Sequence, residues 1–220
     1  MVAAGNSSRM GGYDKIFHPL AGKPALAWVI DVFQTCPLVQ SIVVVLSAEN
    51  LARGEELTAR KGWSKIHRMV PGGPRRQDSV WKGLQHLQNC DLAVIHDGAR
   101  PCITVDLIER GIAEALTSGA AIAAVPLTDT IKRVNAENEV EQTIERQGIW
   151  SVQTPQVYKI DIIKNAYRKI KGDVTDEASL VELSGHKVKI FLGSNQNIKI
   201  TTREDLATAD AILRQRYTLF

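Results

Sequence analysis

SIVVVLS, residues 41–47, decides the fold. Five aliphatic residues, Ile42 to Leu46, follow one another with no polar side chain between them. A strand with one wet face alternates polar and apolar residues, so an unbroken run means a strand covered on both faces. AAIAAVPL (120–127) is a second such run, and DLAVIHDGARP (91–101) is an apolar strand that ends in a polar turn. HRMVPGG (67–73) is a shorter strand ending in glycines. Helical patterns lie between them. PALAWVIDVFQTC (24–36) starts on Pro24 and puts Leu26, Val29, Ile30 and Phe33 on one face. A polar helix begins near Glu49, RQDSVWKGLQHLQ reads as another, and Thr104 caps a third that runs to about Thr117. Strands alternating with helices predict an α/β class: a Rossmann-like, mostly parallel sheet with helices on both faces.

The rhythm breaks at residue 128. TDTIKRV and EVEQTIE are alternating, half-exposed strands joined by NAEN, the pattern of a hairpin. This predicts a β-arm at about 129–152 projecting from a single domain that spans residues 1–220. The rhythm then resumes with a helix from about Lys159, a second over roughly 175–185, and the strand VKIFLG. IKITTREDLATADAIL reads as strand and helix, with Thr201 and Glu204 spaced as a capping box. Only Met1 to Ala4 precede Gly5, fewer than the five or six residues usual in a strand, so the first strand is expected to be truncated or to begin upstream.

Composition narrows the function classes. The net charge is +3, too small for the strong basic patch that nucleic-acid binding uses. No apolar run nears the roughly 18–20 residues of a membrane span, and Arg9 and Asp14 interrupt any signal-peptide pattern. Cys36, Cys90 and Cys102 are widely spaced and odd in number, which predicts reduced cysteines and a cytoplasmic protein. The five histidines, including His96, show no metal-ligand spacing and read as structural.

Ligands of open α/β sheets bind beyond the carboxyl ends of the strands. Four segments fall there: the 5–15 loop, GGPRRQDS (72–79), HDGARP (96–101) and SNQNIK (194–199). Together they supply Arg9, Lys15, Arg75, Arg76, Arg100 and Lys199, a set of cations suited to a polyphosphate, with glycines that let backbone approach it. The opening VAAGNSSRMGGYDK is neither G-x-x-x-x-G-K-[ST] nor G-x-G-x-x-G, so it is not a P-loop or a dinucleotide fingerprint. Lys199 sits in an apolar stretch, an unusual place for an uncompensated charge.

That opening resembles the nucleotide-binding loop of small cytidylyltransferases. GGPRRQDSV, HDGARP, TIERQGIWSVQTPQVY with TDEASLVELSG, and IKITTREDL resemble the same family in order. The chain is identified as a member of the 2-C-methyl-D-erythritol 4-phosphate cytidylyltransferase family, and the likeness covers nearly its whole length. The resemblance implies transfer of CMP from CTP to the acceptor phosphate with release of pyrophosphate. An ionised phosphate needs no general base, so catalysis would be positioning and charge stabilisation. It implies that Arg9 and Lys15 stabilise the transition state and that Arg146 and Lys199 hold the acceptor phosphate. It places Ala3, Ala4, Gly5, Gly73, Arg76, Ser79 and Gly98 around the nucleotide. Asp97, Arg100, Thr130 and Thr154 would lie around the acceptor, with Asp97 also beside a Mg²⁺ held mainly by CTP phosphates. The arm would swap across a homodimer. Two departures stand out: Asp14 replaces a frequent proline and is expected to loosen the Lys15 loop, and Glu145 replaces an aspartate before Arg146. The rival readings are a ribitol 5-phosphate cytidylyltransferase, which IERQGIW disfavours, and a hexose-1-phosphate nucleotidyltransferase, which normally carries a longer chain. A catalytically silent nucleotide-binding module would have lost the loop cations.

Overall fold

The computed structural model describes residues 1–5 and 14–217. Its strands are β1 (Val2–Ala3), β2 (Pro19–Leu20), β3 (Lys23–Pro24), β4 (Ile42–Leu46), β5 (Ile66–Pro71) and β6 (Leu92–Ile95), then β7 (Ala120–Pro126), β8 (Ile131–Val134), β9 (Val140–Ile144), β10 (Trp150–Lys159) and β11 (Lys189–Leu192). Its helices are α1 (Ala25–Thr35), α2 (Leu51–Lys61), α3 (Arg76–Gln85), α4 (Val105–Ser118), α5 (Ile160–Lys169), α6 (Glu177–Leu183) and α7 (Arg203–Tyr217).

The run that fixed the fold class is β4, and its five side chains are all buried, none more than 5 % exposed. Burying one aliphatic side chain of this size stabilises by roughly 1.5–3 kcal/mol, so β4 anchors the sheet. It lies between β1 and β5, parallel to both. A second sheet runs β11-β7-β10-β6. A parallel bridge from Val2 to Asp97 joins the two, giving the order β5-β4-β1-β6-β10-β7-β11. Within this order only β10 is antiparallel to its neighbours.

Helices cover both faces, as expected of such a sheet. Leu26, Val29, Ile30 and Phe33 of α1 share one core cluster with Leu107, Ile108, Ile112 and Ala115 of α4. Val80 and Leu84 of α3, Ile163 and Ala166 of α5, and Ala178, Leu180 and Val181 of α6 form the other. Helix α1 is buried on a second side too: Ala25 and Trp28 pack with Leu206, Ala209 and Leu213 of α7. Thr104 caps α4 by accepting from the Leu107 amide at 3.3 Å.

Three expectations need correction. Strand β10 went unread. Its inner residues Gln153, Thr154 and Gln156 are polar yet buried, a pattern that does not look like a covered strand. The capping box lies one residue on from Thr201 and Glu204. Thr202 Oγ1 accepts from the Asp205 amide at 3.3 Å, and Asp205 accepts from the amides of Thr201 and Thr202. The IKI stretch before it forms no strand; Ile200 is fully buried and donates its amide to Ala99 O at 2.8 Å.

Beyond β7 the chain leaves the body as the hairpin β8–β9, antiparallel and exposed along most of its length. NAEN closes it, with Asn135 Oδ1 accepting from the amides of Glu137 and Glu139. The return strand β10 starts at Trp150 opposite Pro126 and runs into the central sheet.

Candidate active site

The carboxyl ends of β1, β5 and β6 meet so tightly that side chains there must be small. Gly98 donates its amide to Val2 O at 2.8 Å, and a Cβ on Gly98 would fall 2.7 Å from the Ala3 Cβ. A Cβ on Gly72 would fall 2.3 Å from the Ala4 Cβ. Ala3 and Ala4 of the opening motif thus pack directly against these two glycines. Ser79 is buried on the first turns of α3, and its Oγ accepts the Gly73 amide at 3.0 Å. Gly5 follows, and among the described residues nothing lies within 4 Å of the place a Cβ would take. Arg9 lies outside the described residues.

Charge gathers around Asp97, at the tip of β6 and only 6 % exposed. Arg76 donates to its Oδ1 from Nε at 3.1 Å and from Nη2 at 3.0 Å. Lys199 Nζ stands 2.7 Å from Oδ2. Burial pushes the Asp97 carboxyl up, but Arg76 and Lys199 outweigh it and hold the group below the usual carboxylate range. Lys199 therefore is not an uncompensated charge: it follows β11 on a loop, part exposed, with Asp97 as its partner. Lys15 Nζ donates to Ile200 O at 3.0 Å, which brings the second predicted cation beside the Lys199 loop. Asp14 accepts the Ile16 amide at 3.1 Å and pairs with Arg53 at 2.8 Å; the rest of the loop it was expected to loosen lies outside the described residues. Arg100 is nearly buried and donates from Nη1 to Asn197 O at 2.7 Å. Burial lowers its pKa, against the pull of Asp97.

A hydrogen-bond ring fixes the turn that carries Asp97. The Asp97 amide donates to Thr154 Oγ1 at 3.1 Å, and Thr154 Oγ1 lies 3.0 Å from His96 Nδ1. His96 Nε2 lies 3.3 Å from Arg100 O, an acceptor only, so Nε2 carries the proton and Nδ1 accepts from Thr154. Burial holds the His96 pKa down to about 3, and the ring stays neutral. Thr154, predicted at the acceptor, thus has its hydroxyl proton engaged within the protein.

A cavity of about 370 Å³ opens on this cluster, lined by Arg76, Asp97, Arg100, Thr154, Asp176 and Lys199 among others. Arg76, predicted beside the base, faces the same space as Asp97 and Lys199. A second pocket, of about 220 Å³, lies near Met1, Ile42 and Leu92 at the other end of the strands, and among the described residues no lysine or arginine lines it. Arg146 and Thr130 stand apart from the cluster. Both are exposed on the arm, where Arg146 donates to Thr128 O. Among the described residues no group of three or more His, Cys, Asp or Glu is arranged to hold a metal ion. The site also holds residues that sequence reading passed over. Glu177 is fully buried and bonds Arg76 at 2.6 Å. Asn197 bonds Thr154 O at 2.8 Å. The signal for Glu177 was present in TDEASLVELSG, but acidic residues at a helix start ordinarily serve the helix end. Asp176 does so, accepting the Ser179 amide at 3.0 Å.

A sequence model of the 2-C-methyl-D-erythritol 4-phosphate cytidylyltransferases (IspD) matches residues 1–215. The chain belongs to this family. The cytidylyltransferase of that name from Dehalococcoides mccartyi strain 195 is 48 % identical over 215 residues, covering 98 % of this chain and 95 % of its own. The 4-diphosphocytidyl-2C-methyl-D-erythritol synthase of Anaerococcus prevotii superposes with a TM-score of 0.85 at 29 % identity, covering 97 % of this chain and 93 % of that one. The cytidylyltransferase of Thermus thermophilus gives 0.81 at 28 % identity, with 97 % of each chain covered. The IspD family and its nucleotidyltransferase fold thus account for the whole α/β body described above.

Proposed function

We propose that the protein transfers CMP from CTP to 2-C-methyl-D-erythritol 4-phosphate, giving 4-diphosphocytidyl-2-C-methyl-D-erythritol and pyrophosphate in non-mevalonate isoprenoid biosynthesis. One observation carries the reading beyond family membership: Lys15, Arg76, Asp97, Arg100 and Lys199, far apart in sequence, converge at one end of the sheet. A phosphate oxygen of the acceptor attacks the α-phosphorus of CTP, forming one P–O bond as the bond to pyrophosphate breaks. Its nucleophile is already ionised, so the protein supplies alignment and positive charge. Lys15 and Arg9 supply positive charge to the α-phosphoryl group as negative charge develops on it. Lys199 and Arg146 hold the acceptor phosphate, and Asp97 takes a hydroxyl of the polyol. Ala3, Ala4, Gly5, Gly73, Ser79 and Gly98 border the nucleotide, and Arg76 bridges the two substrate sites through Asp97.

Magnesium fits a site with few protein carboxylates, since it draws most of its ligands from phosphate oxygens and water. Asp97 is the residue that would hold it, and the ion would neutralise charge on the leaving pyrophosphate. The arm supports a homodimer: Val134, Val140, Trp150 and Val152 are large apolar side chains exposed on β8 to β10. A two-fold partner would cover them and bring Arg146 and Thr130 to the opposite site. Cys36, Cys90 and Cys102 are free, in keeping with a cytoplasmic enzyme. Pyrophosphate release from CTP, measured with methylerythritol phosphate and with ribitol 5-phosphate, tests the reading. Turnover is expected with the first acceptor, and a preference for the second overturns the assignment.

A further inference from the structure

We infer that Glu177 is a positioning residue for the acceptor site: it anchors Arg76 so that the guanidinium takes one oxygen of Asp97 and leaves the other free to exchange partners. Glu177 lies just behind the cavity. Its neighbours Asp176 and Ala178 line the space, whereas Glu177 is fully buried against Arg76. Burying a carboxylate is costly unless it is paired and hydrogen-bonded. Both needs are met. Glu177 Oε2 accepts from Arg76 Nη1 at 2.6 Å, and Oε1 lies 3.1 Å from the Tyr167 hydroxyl. The Tyr167 ring is itself held by stacking on Trp81, with centroids 5.1 Å apart.

Guanidinium geometry gives this arrangement its consequence. The group is a planar fork that matches a carboxylate bidentately, one N–H to each oxygen. Here it does something else: Nε and Nη2 both converge on Asp97 Oδ1, and Nη1 is drawn off to Glu177. Among the described residues, Asp97 Oδ2 has Lys199 as its side-chain partner. Two buried carboxylates thus hold two directly paired cations, with Arg100 close by. When the acceptor phosphate draws Lys199 away, Oδ2 is released for a polyol hydroxyl while Arg76 stays in place. With Glu177 neutral, the third anchor of Arg76 would lose its charge assistance, and the guanidinium would turn to grip both Asp97 oxygens. Oδ2 would then no longer be available to the acceptor.

This inference rests on the placing of the acceptor beside Asp97. Its test is steady-state kinetics on the full chain, varying methylerythritol phosphate at saturating CTP and then the reverse. Glu177→Gln is expected to raise KM for the acceptor about tenfold, the size of losing one charge-assisted contact, while kcat and KM for CTP change less than about threefold. Tyr167→Phe, a milder change, should raise the acceptor KM by roughly twofold to threefold. In an Arg76→Gln background Glu177→Gln should add nothing, because both act through the same guanidinium. An unchanged acceptor KM in Glu177→Gln, or a full additional effect in the double variant, overturns the inference. If Glu177→Gln does not fold, Tyr167→Phe decides in the same way. Asp97→Asn separates the two levels of the argument. Should it raise the acceptor KM while Glu177→Gln does not, the acceptor site stands and the role of Glu177 falls. Should it too leave that KM unchanged, both fall.

Discussion

The cluster around Asp97 and the arm formed by β8 and β9 use the same residue types in opposite ways. In the cluster, Asp97 and Glu177 are buried and pair with Arg76 and Lys199. The two carboxylates are shielded from water although Arg76 and Lys199 stay part exposed, so each charge acts more strongly on its neighbour than it would at the surface. On the arm, Lys132, Arg133, Glu139 and Glu141 are exposed. Lys132 bonds the Thr143 hydroxyl at 2.6 Å. Charges in water at such spacing contribute about 0–1 kcal/mol at most. The cluster is finished within one chain. The arm is a two-stranded ribbon of the kind that is marginal alone, and it leaves Val134 and Val140 exposed.

That contrast is sharpest in a mixed dimer. Lys15→Ala and Arg146→Ala homodimers should each lose ~10²–10³ in turnover, as loss of one preorganised contact typically does. A heterodimer of the two would carry one doubly defective site and one intact site, and activity should return to about half per heterodimer. Subunit exchange followed by mass, alongside the assay, checks this; exchange without recovery places Arg146 in its own chain's site.

A smaller effect tests how tightly the body is built. Gly98→Ala sets a methyl group against Ala3 at a distance no Cβ tolerates. Overpacking of this kind costs about 1–3 kcal/mol, and urea unfolding measures it. The same added methyl on the arm's Gly148 meets nothing within 4 Å, although φ there is +78° and the strain of a side chain adds its own cost.

Next in size is a pH effect confined to the body. His96 has its pKa held down by burial to about 3. Below about 6.5 the unfolded chain takes up a proton that the folded chain refuses, so stability falls as pH drops from about 6.5 towards 3. The slope from this one group reaches about 1.4 kcal/mol per pH unit, and His96→Gln should flatten it in denaturation curves at pH 7, 6 and 5. Smallest of all, Lys132→Ala on the exposed arm should move stability in urea unfolding by less than about 0.5 kcal/mol.

How far each region could be read from sequence follows the same division. The apolar runs of β4, β6 and β7 announced themselves, and α1 showed its core face, because burial of aliphatic side chains leaves a periodic trace. The alternation of the arm was equally plain. Strand β10 was not legible: Gln153, Thr154 and Gln156 are buried by virtue of partners elsewhere in the chain. Gln153 bonds Ser194 O at 2.9 Å and Gln156 bonds Asp176 at 2.7 Å. A polar residue carries no mark of whether its partner is water or a distant side chain. The capping box at α7 slipped by one residue for a related reason, since Thr201, Thr202, Glu204 and Asp205 offer two spacings of the same chemistry.

The sequence by itself determined the α/β class and the strand ends at which Lys15, Arg76, Arg100 and Lys199 gather, whereas Arg75, expected with them, pairs with Asp78 and Asp173 at the surface and Arg9 lies outside the described residues. The sequence did so because strand periodicity, turn residues and motif order are local properties of the chain. Only the tertiary structure decided how those charges pair. It set Arg76 between Asp97 and Glu177, gave Lys199 to Asp97, fixed His96 as the Nε2–H form and left Arg146 on an exposed arm. Pairing depends on distances between residues up to about a hundred positions apart, and burial alone raises the energy of each such contact enough to select one partner over another.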